Sequence, residues 1–365
     1  MDKKKYDYLI VGAGWSGAVL AERLSSIGKK ILVIDKRDHI GGNCFDVLNE
    51  KGILIHRYGP HYFRTSSFRI MEYLSNFTSW ILHRYKVKAN INGKLYTLPI
   101  NRNTLNQFFG INLKTDEETK KFLESKKEKI KIPKNAEEQV LALVGKEIYE
   151  SFFKNYTIKQ WGIHPKKLDP SITARIPIRT NTNDDYINEI FQGMPKKGYN
   201  EIFKKLLKNV DLKLNTDFED IKDKIDYKNI IYTGRIDEFF GFKFGKLPYR
   251  SINFKFETYP KEFYQEVAQI NYPNEQDFTR IVEIKHVTKQ KSKWTTISKE
   301  YPCEGNEPFY PIINDKNKKL YQQYRKEADK LDNVYFVGRL AQYKYLNMDH
   351  VIKGALDLFE SLKNT

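Results

Sequence analysis

Residues Tyr8 to Val11 form an apolar run with no polar break, and the run stops at Gly12-Ala13-Gly14-Trp15-Ser16-Gly17. The pattern then changes. Residues 18–27 read as a helix closed by Gly28, and a second unbroken apolar run, 31–34, ends in Asp35. Short unbroken runs suit strands buried on both faces, with the helix as the crossover between them. Strand, glycine turn, helix, strand and acid, in that order, predict a dinucleotide site. Gly12 permits the tight turn, Gly14 lets a pyrophosphate approach the backbone, and Gly17 lets the helix lie close on the strand. Ser16 and the unpaired N–H groups of the helix start belong to the same turn. Asp35 comes 23 residues after Gly12, at a strand tip where a carboxylate can take a ribose hydroxyl.

Further along, turn residues punctuate shorter segments. Residues 53–58 lead into Gly59-Pro60-His61, a turn that carries a histidine. Residues 67–74 read as a helix, and 86–98 alternate about Asn92-Gly93, a hairpin signal. Residues 103–153 are helical in pattern, with 137–153 predicting one amphipathic helix. Phe152, Phe153, Tyr156 and Trp161 run out of it to Gly162, either as core packing or as a stacking surface with the tryptophan on a lid. Arg175 and Arg179 follow in an extended segment, then Tyr186. Residues 191–208 predict a Gly-Met-Pro turn and an amphipathic helix. Residues 212–214 and 229–232 predict strands that return to the first sheet, with Thr233-Gly234 facing the cofactor. Residues 242–256 (with Arg250 embedded), 270, 279–284 and 294–300 predict an antiparallel sheet, which 308–311 interrupt. Residues 315–331 read as a helix. A strand from 333 ends in Gly338-Arg339, and the N-terminus of a last helix, from Asp349, aims back at the cofactor.

The chain has 365 residues, 40% hydrophobic and 14% aromatic, enough for two or three cored domains. No apolar run approaches membrane-spanning length, and MDKKKYDYL enters the first strand directly, so neither a signal peptide nor membrane insertion is expected. Cys44 and Cys303 are the only cysteines, which predicts a reducing, cytoplasmic setting and no disulfide framework. No metal site is predicted. The net charge of +17 comes from scattered lysines, which read as a solvated surface with no nucleic-acid partner. A positive field of this kind also favours an anionic nucleotide substrate. Residues 114–134, dense in Lys and Glu, predict an exposed helix or loop.

After Asp35 comes Lys36-Arg37-Asp38-His39-Ile40-Gly41-Gly42-Asn43. A basic pair followed by a double glycine resembles the continuation found in large FAD-binding folds, and there is no second GxGxxG for a separate nicotinamide domain. The expected class is therefore α/β: an FAD-binding Rossmann-like domain interleaved with a helical bundle domain and an antiparallel β-sheet domain. The FAD-binding domain takes 1–78, 188–240 and 315–365, the helical substrate or lid domain 102–187, and the sheet domain 79–101 with 241–314.

Over nearly its full length the chain resembles the bacterial type of the UDP-galactopyranose mutase family. The motifs are YDYLIVGAGWSGAV, DKRDHIGGN, YGPHYF, LPIN, FFKNYTIKQWG, YTGRID, YRS, TRIVEIKH and VGRLAQYKYLNMD. The resemblance implies a flavin-dependent isomerase that interconverts pyranose and furanose forms of a UDP-sugar. Reduced flavin N5 acts as nucleophile at the anomeric carbon, with no net redox change. It also implies an external reductant and a homodimer. Carried over by position, Tyr156 stacks on uracil with Phe152, Phe153, Thr157 and Asn271 around it. Arg175 and Arg280 hold the diphosphate, aided by Tyr186, Tyr310 and Tyr345. Trp161 rides a mobile lid, His61 lies beside N5, and Arg250, Arg339 and Met348 serve the flavin side. Two positions depart from the family pattern: Arg64 stands where a second histidine is usual, and Asn347 where an aspartate is usual. Both shift the site toward positive charge. They predict a sugar other than plain galactose, with an N-acetyl group at C2 as the leading candidate. A dTDP-deoxy sugar, or an FAD-dependent oxidase on the same fold, is the alternative.

Overall fold

The computed structural model describes residues 5–174, 177–305 and 307–364. The two apolar runs lie side by side as parallel strands, Lys5–Val11 and Ile31–Ile34. Asp211–Lys213 adds beyond Ile31–Ile34, while Asp226–Tyr232 and then Val334–Phe336 extend the other side, all parallel. Val11 is in register with both Ile34 and Tyr232. Gly12, Asp35 and Thr233 therefore leave the sheet at one edge, the carboxyl end where open α/β sheets hold ligands. The helix Trp15–Ser26 packs on this sheet and on the terminal helix Met348–Leu362, and its residues from Trp15 to Ala21 are all buried. Gly17 makes the close packing possible: a Cβ there would fall 1.9 Å from the Gly12 carbonyl oxygen.

A second sheet has seven strands, ordered Tyr310–Pro311, Tyr249–Tyr259, Thr295–Cys303, Arg280–Val282, Gln269–Asn271, Val87–Ile91 and Lys94–Leu98. It is not purely antiparallel as expected. Gln269–Asn271 runs parallel to Val87–Ile91, because segments far apart in sequence meet there. Tyr310–Pro311 does not interrupt the sheet either. It pairs with Tyr249 and Arg250 as an edge strand, where a proline without an N–H is tolerated. The Asn92-Gly93 hairpin forms as expected, both residues at positive φ, 51° and 80°.

The anticipated Gly-Met-Pro turn is a strand. Phe191–Pro195 is the middle member of a three-stranded sheet between Phe63–Thr65 and Trp80–Leu82. Its glycine answers to a neighbour, since a Cβ on Gly193 would lie 2.4 Å from the Ile81 carbonyl oxygen. Trp80–Leu82, assigned from sequence to the larger sheet's domain, thus pairs with segments assigned to the cofactor domain.

The single helix expected over 137–153 is also divided. Ala136–Val144 ends at Gly145 (φ 78°), where a Cβ would meet the Lys126 carbonyl oxygen at 2.1 Å. A short turn, Lys146–Ile148, then passes into a π-helical stretch, Tyr149–Lys154, and on into the helix Asn155–Trp161. The wider π turn inserts a residue and re-aims the helix after it, a device that recurs at functional sites. Among the described residues no helix is long and apolar enough to cross a membrane, and no group of three or more His, Cys, Asp or Glu side chains could hold a metal ion.

Candidate active site

Two cavities meet at the carboxyl edge of the parallel sheet. The first, of about 280 Å³, is lined by Gly12, Gly14, Ser16, Asp35, Lys36, Gly42, Asn43, Thr233, Gly234, Gly338, Arg339 and Met348, with His61. Gly12 sits at φ 106°, and Thr233 Oγ1 would be 2.1 Å from a Cβ there. Gly14 and Gly42 face each other backbone to backbone, and a Cβ on Gly42 would come within 3.2 Å of the Gly14 Cα. This slot without side chains fits a pyrophosphate. Asp35 is held by two backbone donors: Ala13 N–H reaches Oδ2 at 2.8 Å and Arg37 N–H reaches Oδ1 at 3.0 Å. No side chain caps the helix that begins at Trp15, or the one that begins at Met348. Both N-termini thus keep their dipole ends for an anionic ligand.

The second cavity, of about 250 Å³, gathers Arg64, Phe152, Phe153, Tyr156, Thr157, Trp161, Tyr186, Asn271, Arg280, Tyr310, Tyr345 and Asn347. Asn43, His61, Arg339 and Met348 line both cavities and form the wall between them. Arg280 lies directly opposite Glu300 across adjacent strands, with Nε 2.7 Å from Oε2. Burial opposes charge on Arg280, but Glu300 and then Tyr156 outweigh it and keep the guanidinium firmly protonated. Tyr310 and Tyr345 stack at 5.2 Å, with Trp161 near both. Gln269 donates to Asn271 Oδ1 at 2.7 Å, and Tyr85 donates to Gln269.

His61 occupies the shared wall. Its Nδ1 is 2.8 Å from the Gly59 carbonyl, so Nδ1 carries the proton and Nε2 is left as the acceptor. Its own N–H donates to His56 Nδ1. Burial pushes His61 down to about 4 and His56 to about 3. Unfolded, both titrate near 6.5, so their contribution to stability is full above that pH and is lost as pH falls toward 4. At pH 5 the loss is on the order of 2 kcal/mol for each. Asp46, pushed up to about 6 by burial, acts in the opposite sense. Its carboxylate form is disfavoured in the fold, and it returns about 1 kcal/mol between pH 7 and 5. Together these three groups lower the unfolding free energy by about 2–3 kcal/mol from pH 7 to pH 5, and His83, also pushed down to about 4 by burial, adds to the fall that urea unfolding would read. Equal stability at the two would mean that these imidazoles are not held neutral.

Several positions differ from expectation. Arg64 is not a lone added cation: its Nε is 3.3 Å from Glu189 Oε1, which offsets the charge. Arg250 lines neither cavity. Its guanidinium lies against Gly162 and points Nε at the Gln160 carbonyl (3.3 Å) and Nη2 at the Lys159 carbonyl (3.4 Å), closing the end of the helix Asn155–Trp161. Gly17, in the first turn of the helix Trp15–Ser26, is buried against the first strand and its glycine turn and lines neither cavity. Trp161 is only 5% exposed and packs on Ala136, Leu168 and Ile172. Arg339 donates to the carbonyls of Leu346 and Phe309 while facing both cavities. Arg175 lies outside the described residues. Sequence reasoning missed Glu300, Gln269 and Tyr85; aligning strands 280–282 and 295–303 in register would have found the first.

The fold and the shared wall define a class: a dinucleotide-binding enzyme whose second cavity, aromatic and cationic, opens on the cofactor site. Residues 10–77 match the model of the NAD(P)-binding Rossmann-like domain, and residues 151–345 match that of the UDP-galactopyranose mutase family. A probable UDP-galactopyranose mutase of Klebsiella pneumoniae is 39% identical over 95% of this chain and 92% of its own length. The dTDP-fucopyranose mutase of Escherichia coli is 34% identical over 96% of each. The crystal structure of a reduced UDP-galactopyranose mutase shares the fold at TM-score 0.78 and 16% identity, covering 98% of this chain and 96% of that one. The chain belongs to the UDP-galactopyranose mutase family, and it is an enzyme of the isomerase class.

Proposed function

We propose that this chain binds FAD in the glycine-lined cavity and interconverts the pyranose and furanose forms of a UDP-sugar in the cavity beside it. The observation that carries the reading is the wall shared by the two, formed by Asn43, His61, Arg339 and Met348. Gly12, Gly14, Ser16, Gly42 and Asp35 would hold the cofactor's pyrophosphate and ribose, with Lys36, Thr233, Gly234 and Gly338 around them. When bound and reduced, the flavin supplies a nucleophilic nitrogen for the anomeric carbon.

The protein's own groups do the rest. Arg280, held charged by Glu300, stabilises the diphosphate as it leaves, with Tyr186, Tyr310 and Tyr345 about it; the family resemblance gives Arg175, outside the described residues, the same role. Such charge stabilisation contributes several kcal/mol in a site that excludes water. Tyr156 provides a stacking face for the base, on the order of 1–3 kcal/mol, flanked by Phe152, Phe153, Thr157 and Asn271. His61, neutral at physiological pH, presents Nε2 as a hydrogen-bond acceptor and places no fixed cation beside the flavin. An external reductant, a cytoplasmic homodimer and the three-domain division of the chain belong to the same reading.

A dTDP-deoxy sugar is the second reading. It is favoured by the similarity to a dTDP-fucopyranose mutase and by Glu189, which offsets the Arg64 charge on which an N-acetyl preference would draw. Dithionite-reduced protein incubated separately with UDP-galactopyranose, UDP-N-acetylgalactosaminopyranose and dTDP-fucopyranose, read by HPLC, is expected to give a furanose peak that disappears when the flavin is oxidised. The preferred substrate then fixes the sugar. FAD-bound protein that yields no furanose from any of the three would refute the mutase assignment for these sugars.

A further inference from the structure

Lys159, on the helix Asn155–Trp161, lies outside both cavities, yet its side chain is tightly bound. Its Nζ donates to three backbone carbonyls, those of Tyr272, Gln276 (2.8 Å) and Phe278 (3.1 Å). All three belong to the segment joining Gln269–Asn271 to Arg280–Val282. An ammonium has three N–H donors and here three acceptors, so the group is fully satisfied only while it is charged. Two further bonds join the same parts: Asn155 Nδ2 to Asn274 Oδ1 at 3.0 Å, and Asn274 Nδ2 to the Ser151 carbonyl at 3.1 Å. On one side of this junction the helix carries Tyr156, Thr157, Gln160 and Trp161 into the substrate cavity; on the other, the hairpin carries Asn271 and Arg280.

We propose that Lys159 is a positioning residue whose ammonium ties the helix bearing Tyr156 to the hairpin bearing Arg280, holding the two walls of the substrate cavity at a fixed spacing. The tie rests on the proposed function only in what passes between those walls: a nucleoside diphosphate spans a base-stacking ring and a phosphate-binding guanidinium. A fixed spacing then sets binding affinity, and the flavin cavity, which Lys159 does not touch, is unaffected.

The junction also has a pH dependence. Burial pushes Lys159 down to about 8, against the opposing pull of Glu275 and Asp277. A lysine lowered in this way loses its charge, and at least one of its three bonds, as pH rises through that value. Arginine at the same place would remain charged.

UDP binding by calorimetry to the flavin-loaded protein provides the test. Lys159→Met is expected to bind UDP about tenfold more weakly, since charge-assisted bonds to carbonyls are removed, with unchanged flavin absorbance; Lys159→Arg should stay close to the parent. Between pH 7 and 9 the parent should lose affinity while Lys159→Arg changes only as UDP itself, in its terminal phosphate and its uracil, titrates. Coincident pH profiles for parent and Lys159→Arg would overturn the proposal, even if Lys159→Met folds poorly. Amide exchange over residues 272–279 reads the tie with no ligand present: faster exchange in Lys159→Met than in Lys159→Arg is expected, and equal protection would overturn the proposal. Failure of UDP to bind the parent would instead refute the substrate reading, and the exchange result alone would decide about Lys159.

Discussion

Arg280→Met is expected to lose at least about a thousandfold in furanose formation and about 3–5 kcal/mol in stability, whereas Arg280→Met combined with Glu300→Gln regains most of the stability and none of the turnover. The reason lies in the register of two strands. Arg280 and Glu300 are direct cross-strand partners, and the Glu300 side chain is fully buried. Burial pushes its carboxyl up and the Arg280 guanidinium draws it back. The contact is close but not aligned as a hydrogen bond, and both carboxylate oxygens lack an aligned donor. The pair is therefore held mainly by Coulomb attraction. Methionine removes the cation and strands a carboxylate in a low-dielectric site, and glutamine at 300 removes the stranded charge. Turnover does not return, because the charge that faces the leaving diphosphate is still missing. Urea unfolding and the HPLC assay on the three proteins separate the two roles. Equal destabilisation of the single and double variants would show that Glu300 draws its stabilisation from elsewhere.

Gly14→Ala should produce a folded, colourless protein, while Gly17→Ala should not fold. At Gly14 the backbone is ordinary (φ −80°, ψ −169°), and a Cβ would meet only the Gly42 Cα, at 3.8 Å. The apo fold has no objection to alanine there. A pyrophosphate between Gly14 and Gly42 does, and FAD affinity is expected to fall by about a hundredfold or more. At Gly17 the obstacle is the protein itself, with the Gly12 carbonyl 1.9 Å away and Ile10 Cγ2 at 3.1 Å. Circular dichroism and flavin absorbance distinguish the two cases. A yellow Gly14→Ala protein with parental FAD affinity would move the pyrophosphate out of the slot.

Where one segment decides its own structure, the sequence is easy to read. The glycine turn after Val11, the acid at 35 and the Asn92-Gly93 hairpin are local, and their periods and left-handed glycines announce them. Features set by a distant neighbour are not legible in the same way. Gly193 looks like a turn residue, yet its small size answers to the Ile81 backbone more than a hundred residues earlier. Gly145 is tolerated in many helices; here the approach of Lys126 enforces the break. Glu300 is silent until its strand is set against Arg280, and the charge of Arg64 changes meaning once Glu189 is beside it. The π turn at 149–154 leaves no periodic mark short enough to detect, although it orients Tyr156 and Trp161. The motif around Arg250 suggests a cofactor residue. Its three-dimensional neighbours are instead the carbonyls that end a helix.

The parallel sheet draws its five strands from residues 5–34, 211–232 and 334–336, and its first helix is covered by the last helix of the chain. On a ribosome adding about 5–20 residues per second, roughly 15–60 s separate the appearance of Ile31–Ile34 from that of Val334–Phe336. Until Asp211–Lys213 and Asp226–Tyr232 emerge the nascent βαβ unit has both sheet edges open, and until the last helix emerges the buried face of its own helix, from Trp15 to Ala21, lacks its cover. Such edges are templates for pairing with other chains. The strands that begin the nucleotide fold are therefore made well before the segments that close it, and during that delay their apolar faces have nowhere yet to pack.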